Sequence, residues 1–321
     1  MPDKTGRITL WQVEVFLATA EEGAVSAAAR RLGASASAVS QQLTSLEAAL
    51  GTPIMDRSTR PVSLTPAGEA LKRRAQNILN EAAAARAEIA GGDMAALTSL
   101  RLGMIEDFDA DVTPRLLRSM AGELQSCQFL LETGASHRLF DLLDMRALDV
   151  IVAADIGAAA GWMEVHPLMS EPFVVAAPPG AVDPGGDVAA QLQKLPLIQY
   201  TQRHLMGRTI ADHLARQNLR LSHRFELDSY HAIMALVAEG AGWTILTPLA
   251  LARAHRFQQS ADILPLPFAP LSRTISLNAR AGVLGEMPAR MAAKLRPLIG
   301  ELIVTPSVER MPWLEDGLKL M

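Results

Sequence analysis

Between Leu10 and Gly51 the chain repeats one theme three times: a short run with apolar residues at helical spacing, then a glycine. Leu10 to Glu22 sets Leu10, Val13, Phe16, Leu17 and Ala20 on one face of a helix, and Gly23 can end it. Val25 to Leu32 makes a second, shorter helix stopped at Gly33. A third runs from Ser37 to Leu50, with Val39, Leu43, Leu46 and Leu50 in register and Gly51 as its stop. Ser35 and Ser37 are both suited to cap it. The alanines at 27 to 29 leave room for two helices to cross closely, and only three charged residues, Arg30, Arg31 and Glu47, fall between Ala24 and Gly51. A short helix, a tight glycine-containing turn and a longer helix predict a helix-turn-helix.

The next residues suit an extension of that unit. Ile54 to Leu64 carries Arg57, Arg60 and Pro61, which fits a short two-stranded wing. Thr65-Pro66 restarts a helix, with threonine as cap and proline in the first turn. Leu71, Ala75, Ile78, Ala82, Ala85 and Ile89 then recur at intervals of four and three, a heptad seam for a partner helix. A helix from Pro66 to Ala90 would be about 37 Å long at 1.5 Å per residue. Gly91-Gly92 ends it as a hinge.

Beyond the hinge, "LRLGMI", "QFLLET", "DVIVAA", "FVVAA", "PLIQY", "FELD", "WTILT" and "TISLNA" read as strands. They alternate with helices at Thr113–Leu124, Ser136–Ala147, Leu205–Asn218 and Ser229–Glu239. Such alternation predicts an α/β fold with parallel sheets. The length of this part favours two lobes, with Pro178 to Asp187 a loop.

Composition removes several alternatives. The apolar fraction is 49% and the charged fraction 20%, ordinary values for a globular protein. No apolar run approaches the roughly 18 residues that span a bilayer, and no signal-peptide pattern is seen, so the cytoplasm is the expected compartment. The single cysteine, Cys127, sits in an apolar run read as core and has no partner for a disulfide. The net charge of −4 is uneven: residues 1–92 hold ten Lys and Arg against nine Asp and Glu, a net of +1, and the remainder carries −5. "DSYHA", Asp228 to Ala232, is no catalytic triad, because adjacent residues do not aim at one another in that geometry. No nucleophile elbow occurs, and the seven histidines lack ligand spacing. Neither catalytic residues, metal nor cofactor is expected. A two-lobed binding protein or enzyme without a role on DNA is the competing class.

The run "FLATAEEGAVSAAARRLGASASAVSQQLTSLEAALGTPIMDRSTRPVSLTPAGEAL" resembles the N-terminal domain of LysR-type transcriptional regulators. "LETGASHRL" and "LVAEGAGWTILTP" are similar to segments of the family's effector-binding domain. The resemblance implies a winged helix-turn-helix over 1–65, and a dimerisation helix and hinge over 66–92. It further implies a two-lobed, periplasmic-binding-protein-like α/β effector domain over 93–305. Lobe 1 would comprise about 93–170 plus 270–305, and lobe 2 about 171–269. A tail, 306–321, has no counterpart. The sequence departs from the family at Ala36, where glutamine is usual, and at Arg146, where glycine is usual.

The resemblance implies a regulator that binds double-stranded DNA as a homodimer or as a tetramer, contacts RNA polymerase if it activates, and answers to a small molecule. On the third helix Ser35, Ser37, Ser40, Gln41 and Thr44 are candidates for bases or phosphates, with Gln41 able to pair twice with adenine. Arg30, Arg31, Arg57 and Arg60 are candidate phosphate contacts. Ligands of two-lobed α/β folds sit at the carboxyl ends of strands. That selects Glu106, Asp107, Phe108, Thr133 and Ser136 on one lobe, and Thr201, Gln202, Asp228 and Ser229 on the other. Glu106, Asp107 and Asp228 facing one cleft would favour a cationic effector, with Arg203 or His204 as counterweight.

Overall fold

The computed structural model of the chain describes residues 7–89, 97, 99–219, 221–257 and 259–321. By internal contacts the chain divides into two units, Met1–Ser99 and Leu100–Met321. The glycine pair 91–92 and Ala90, read as the end of the long helix and its hinge, lie outside the described residues.

In the first unit, α1 (Leu10–Glu22), α2 (Val25–Arg31) and α3 (Ala36–Leu50) lead into the hairpin β1 (Met55–Asp56) and β2 (Ser63–Leu64) and then α4 (Pro66–Ile89). Thr9 and Gln12 form a reciprocal capping box on α1, and Gly23 ends it at φ 65°, a left-handed conformation that glycine adopts without strain. Ser35 caps α3 and Gly51 ends it at φ 71°. Ala28 and Ala29 are buried against Phe16, Val39, Leu43 and Leu46, so the small residues do allow the close crossing. Glu47, the lone acid of that stretch, accepts from the backbone N–H groups of Ile54 and Met55 at 3.1 and 3.4 Å and so fixes where the wing begins.

The start of α4 is pressed on the wing. Thr65 Oγ1 donates to Pro53 O at 2.8 Å and accepts from Gly68 N at 3.1 Å. A Cβ on Gly68 would stand 2.0 Å from Ile54 O. Only glycine fits there. Along the seam Ala75 is buried in this unit's own core, whereas Ile78 is exposed.

The second unit runs β3 (Ser99–Ile105), α5 (Val112–Glu123), β4 (Gln128–Gly134), α6 (Ser136–Asp144), β5 (Val150–Ala154), β6 (Met163–Pro172) and β7 (Val174–Ala177). It continues with α7 (Val188–Leu192), β8 (Leu197–Tyr200), α8 (Leu205–Arg216), β9 (His223–Leu227), α9 (Tyr230–Ala238), β10 (Thr244–Leu246) and α10 (Pro248–Arg253). The last elements are β11 (Asp262–Pro265), β12 (Ser272–Arg280), α11 (Met287–Ile299), α12 (Thr305–Arg310) and β13 (Lys319–Leu320). Lobe 1 holds a six-stranded sheet in the order β13-β6-β12-β5-β3-β4; lobe 2 holds β10-β7-β11 and the pair β8-β9.

The sheets are mixed, which corrects the all-parallel expectation. β3 pairs with β5 and β8 with β9 in parallel, but β12 runs antiparallel to both β5 and β6. β6 and β12 are the two long strands that cross between lobes, and they pair with each other. β6 contains Pro167 and Pro172, which argue against a central strand in the sequence; Pro167 sits where the β6–β12 register shifts, and proline is tolerated at such irregularities.

Two further features depart from what the sequence suggests, and a third bears on Arg146. The tail packs on lobe 1: Leu314 and Leu318 are buried, β13 pairs with β6 and Gly317 closes against Pro172. Cys127 is only partly buried. Arg146 has φ 56°, the left-handed region where glycine is unstrained, so its departure from the family pattern is conformational.

Candidate functional site

The exposed face of α3 carries Ala36, Ser37, Gln41 and Thr44, with Ser40 half-buried. Several of the polar candidates already have partners. Ser35 Oγ accepts from Ala38 N at 3.2 Å and shares a 3.0 Å hydrogen bond with Ser37 Oγ. Thr44 Oγ1 donates to Ser40 O at 3.0 Å. Gln41 is exposed with its amide open, which leaves it the best placed to offer two hydrogen bonds to a base.

The four arginines separate in the same way. Arg31 pairs with Glu21 at 2.5 Å and Glu22 at 3.4 Å, and the Glu21 hydrogen bond raises its pKa. Arg57 pairs with Glu47 at 2.8 Å. Both candidates therefore already have carboxylate partners within the unit. Arg30 and Arg60 are exposed and no ion pair engages either among the described residues.

In the second unit a cavity of about 70 Å³ lies between the lobes. Ile105, Glu106 and Asp107 at the end of β3 and Gly134 to Ser136 at the end of β4 line it from lobe 1. Tyr200, His204, Met206, Asp228 and Tyr230 line it from lobe 2, and Arg273 from the crossover strand β12. Of the nine candidates, Glu106, Asp107, Ser136 and Asp228 meet here. The other five do not, each for a local reason. Phe108 is fully buried core. Thr133 is exposed on β4. Thr201 is buried and donates to Glu226 Oε1 at 2.7 Å, to which Gln202 N also donates at 3.2 Å. Ser229 caps α9 through Ala232 N.

The cleft is organised by arginines. Arg273 donates through Nε to Glu171 Oε1 at 2.6 Å and through Nη2 to Asp107 Oδ2 at 3.0 Å and Thr247 Oγ1 at 3.2 Å. Glu171 is fully buried and accepts a further bond from Leu249 N at 3.0 Å. Burial raises the Glu171 pKa while Arg273 opposes the rise. Arg253, on α10, donates to Glu106 O and stands 3.7 Å from Glu106 Oε2 and 3.4 Å from Asp109 Oδ2. Arg203 lies 3.8 Å from Asp228. Each carboxylate that favoured a cationic effector thus has an arginine within 4 Å, and the charge-based motive for that reading is gone.

One acceptor is left over. Asp107 Oδ1 is buried without a hydrogen-bond partner. Around it stand the stacked rings of Tyr200 and Tyr230, with centroids 5.1 Å apart, and His204, edge-on to Tyr200 at 5.8 Å and to His137 at 5.7 Å. Burial lowers the His204 pKa, and the neighbouring His137 adds to the fall, which works against a role as a cationic counterweight. Among the described residues no cluster of three or more potential ligands gathers to hold a metal ion, and no helix is long and apolar enough to cross a membrane.

The bacterial regulatory helix-turn-helix of the lysR family matches residues 10–69, and the LysR substrate binding domain matches residues 96–291. The chain belongs to the LysR family of transcriptional regulators. A probable hydrogen peroxide-inducible genes activator of Mycobacterium avium is 33% identical over 310 residues, covering 94% of this chain and 97% of that protein. Among solved structures, a cysteine mutant of Corynebacterium glutamicum OxyR is 25% identical with a TM-score of 0.66, covering 95% and 96% of the two chains. Full-length CbnR in complex with its target DNA shares the fold at 20% identity and a TM-score of 0.55, covering 91% of this chain and 100% of that one. This LysR-family regulator thus has a helix-turn-helix DNA-binding domain and an effector-binding domain.

Arg273, Glu171, Arg253 and the Tyr200–Tyr230 stack are the parts of the LysR-family cleft that the sequence does not offer. Arg273 stands 166 positions from Asp107 and 102 from Glu171. The signal that is present is weak: an arginine on a strand that is otherwise largely buried, "SRTISLNAR".

Proposed function

We propose that α3 reads the operator through Gln41, Ser37 and Ser40, that Arg30 and Arg60 hold the DNA backbone, and that two copies pair along α4. The interlobe cavity is the effector site, and RNA polymerase is contacted if the regulator activates. The observation that carries the effector reading is Asp107: half of its carboxylate is held by Arg273, and the other oxygen is buried and unpaired beside the cavity. A buried acceptor without a partner costs about 1–3 kcal/mol, so a ligand that donates a hydrogen bond there recovers that cost. With the neighbouring carboxylates already balanced, the effector is a small donor-bearing molecule that needs no net positive charge.

The peroxide-inducible names of the relatives suggest a redox signal, and a disulfide would be its simplest form. This chain has one cysteine. Burial pushes the Cys127 thiol up to about 11, far from the depressed values of reactive thiolates. Our reading is therefore of a reversibly bound effector.

Arg60→Ala and Arg30→Ala should each weaken binding to all DNA sequences alike and reduce the slope of log K against log salt by about 1. Fluorescence anisotropy on operator and random duplexes at several salt concentrations measures this. A change of base preference at constant affinity would contradict the assignment. Gln41→Ala should do the reverse, relaxing preference at one position by about 1–3 kcal/mol.

The cleft is tested by thermal shift with small amines, alcohols, amides and carboxylates on the wild-type chain and on Asp107→Leu. Donor-bearing compounds should raise the melting temperature of the wild type only. A compound that stabilises both chains equally would place the effector elsewhere.

A further inference from the structure

Lobe 1 contains a second and larger cavity, about 340 Å³, beneath the loop that joins β5 to β6. That volume lies in the range of roughly 300–1,000 Å³ usual for small-molecule pockets. The loop contributes three consecutive alanines, Ala158, Ala159 and Ala160, to the cavity lining. Phe140 of α6 and Trp162 supply aromatic wall. Arg280 lies over the Trp162 ring at 4.2 Å, and its Nη2 donates to Asp144 O at 2.9 Å, so this cation is committed to the wall.

The polar side chains that line the cavity, Asp141, Asp144, Asp155 and Asn278, all carry acceptors. Asn278 is 1% exposed. Its Nδ2 donates to Ser276 O at 3.1 Å, and its Oδ1 accepts from no described residue. Asp155, just past β5, keeps an exposed edge; no ion pair engages it among the described residues, and partial burial raises the pKa of its carboxyl while a hydrogen bond from Ser276 opposes the rise. Asp141 and Asp144 line the same cavity. Arg280 also stands 3.6 Å from Asp144 Oδ1 and balances it, but an anion would still meet Asp155 and Asp141, whereas an ammonium would find both a charge partner and the open Asn278 carbonyl.

We infer that this cavity is a second ligand site, separate from the interlobe cleft, for a small amphipathic amine. The ammonium donates to Asp155 and Asn278 Oδ1, and the apolar body lies between Phe140, Trp162 and the alanine loop. The site has a physical route to the cleft. Asp155 N donates to Thr274 O at 3.0 Å, next along β12 to Arg273.

The test uses the full chain and phenethylamine as probe, with 2-phenylethanol and phenylacetate as neutral and anionic controls of the same shape. Isothermal titration should show the amine binding and the two controls failing to bind. Asp155→Asn should weaken binding about tenfold or more, as expected for loss of a charged hydrogen-bond partner. Ala159→Phe should fill the cavity and abolish binding, and Asp107→Asn, in the cleft, should leave it unchanged. If Ala159→Phe does not fold, Ala159→Val with Asp155→Asn gives the same reading. The inference is overturned if phenethylamine does not bind, if 2-phenylethanol binds equally well, if binding survives both cavity substitutions, or if Asp107→Asn removes it.

Discussion

Arg273→Met should destabilise the effector-binding unit by roughly 3–5 kcal/mol, the cost of leaving a buried charge without its partner. Glu171 is fully buried and the Asp107 side chain nearly so, and both lean on this one guanidinium. Urea unfolding of the full chain, followed by near-UV signals from lobe 1 and lobe 2, measures the loss. The deficit should depend on pH in a definite direction. Burial raises the Glu171 pKa above its ordinary 4.5, and removing Arg273 takes away the group that opposes that rise. A carboxyl with a raised folded-state pKa favours the fold while protonated and loses that contribution as pH climbs through the folded value. The variant should therefore lie closest to wild type near pH 5 and fall away towards pH 8. Adding Glu171→Gln should recover part of the loss at pH 8 and little at pH 5. A deficit that is flat across this range would mean that Glu171 is not the group left exposed to the penalty.

Ile78→Glu combined with Ala82→Glu should reduce operator affinity by about 10²–10⁴-fold, the usual gain from joining two binding modules. Ile78 is a large apolar side chain left exposed on α4, and Ala82 comes one turn later on the same seam. Two glutamates there would face their copies across a paired helix. Sedimentation velocity should show a shift towards monomer, with the far-UV spectrum unchanged. A dimer that persists through both substitutions would move the interface away from α4.

The helix-turn-helix unit is nearly all legible in the sequence because its determinants are local. Gly23, Gly51, Ser35 and Thr65-Pro66 each act within a few residues of themselves, and the structure uses them as stops and caps. The strands legible as short apolar runs are the buried ones, such as β5 and β7. β6 escapes such a reading because its alternation is poor and it holds two prolines, one of them at a register shift. β13 escapes it because two residues carry no period. In the cleft, the strand ends bring Glu106, Asp107, Ser136 and Asp228 to one cavity. Their electrostatics cannot be read the same way, since a carboxylate looks unpaired until the arginine that folds onto it from far along the chain is known. Thr201 and Ser229 show the opposite failure: a hydroxyl at a strand end or helix start is often occupied by the backbone or a neighbour.

The missing side chain of Gly68 has a consequence for the operator. Because α4 touches the backbone of Ile54 directly, the wing cannot tilt on a bed of side chains; it moves as one body with the helix on which, in our proposal, the two copies pair. The separation of the two wings along the duplex is then a fixed length rather than an adjustable one. One base pair added between half-sites rotates one of them by about a tenth of a turn, and a rigid pair of wings has no slack with which to accommodate it. Operators for this regulator should tolerate changes of base far better than changes of spacing.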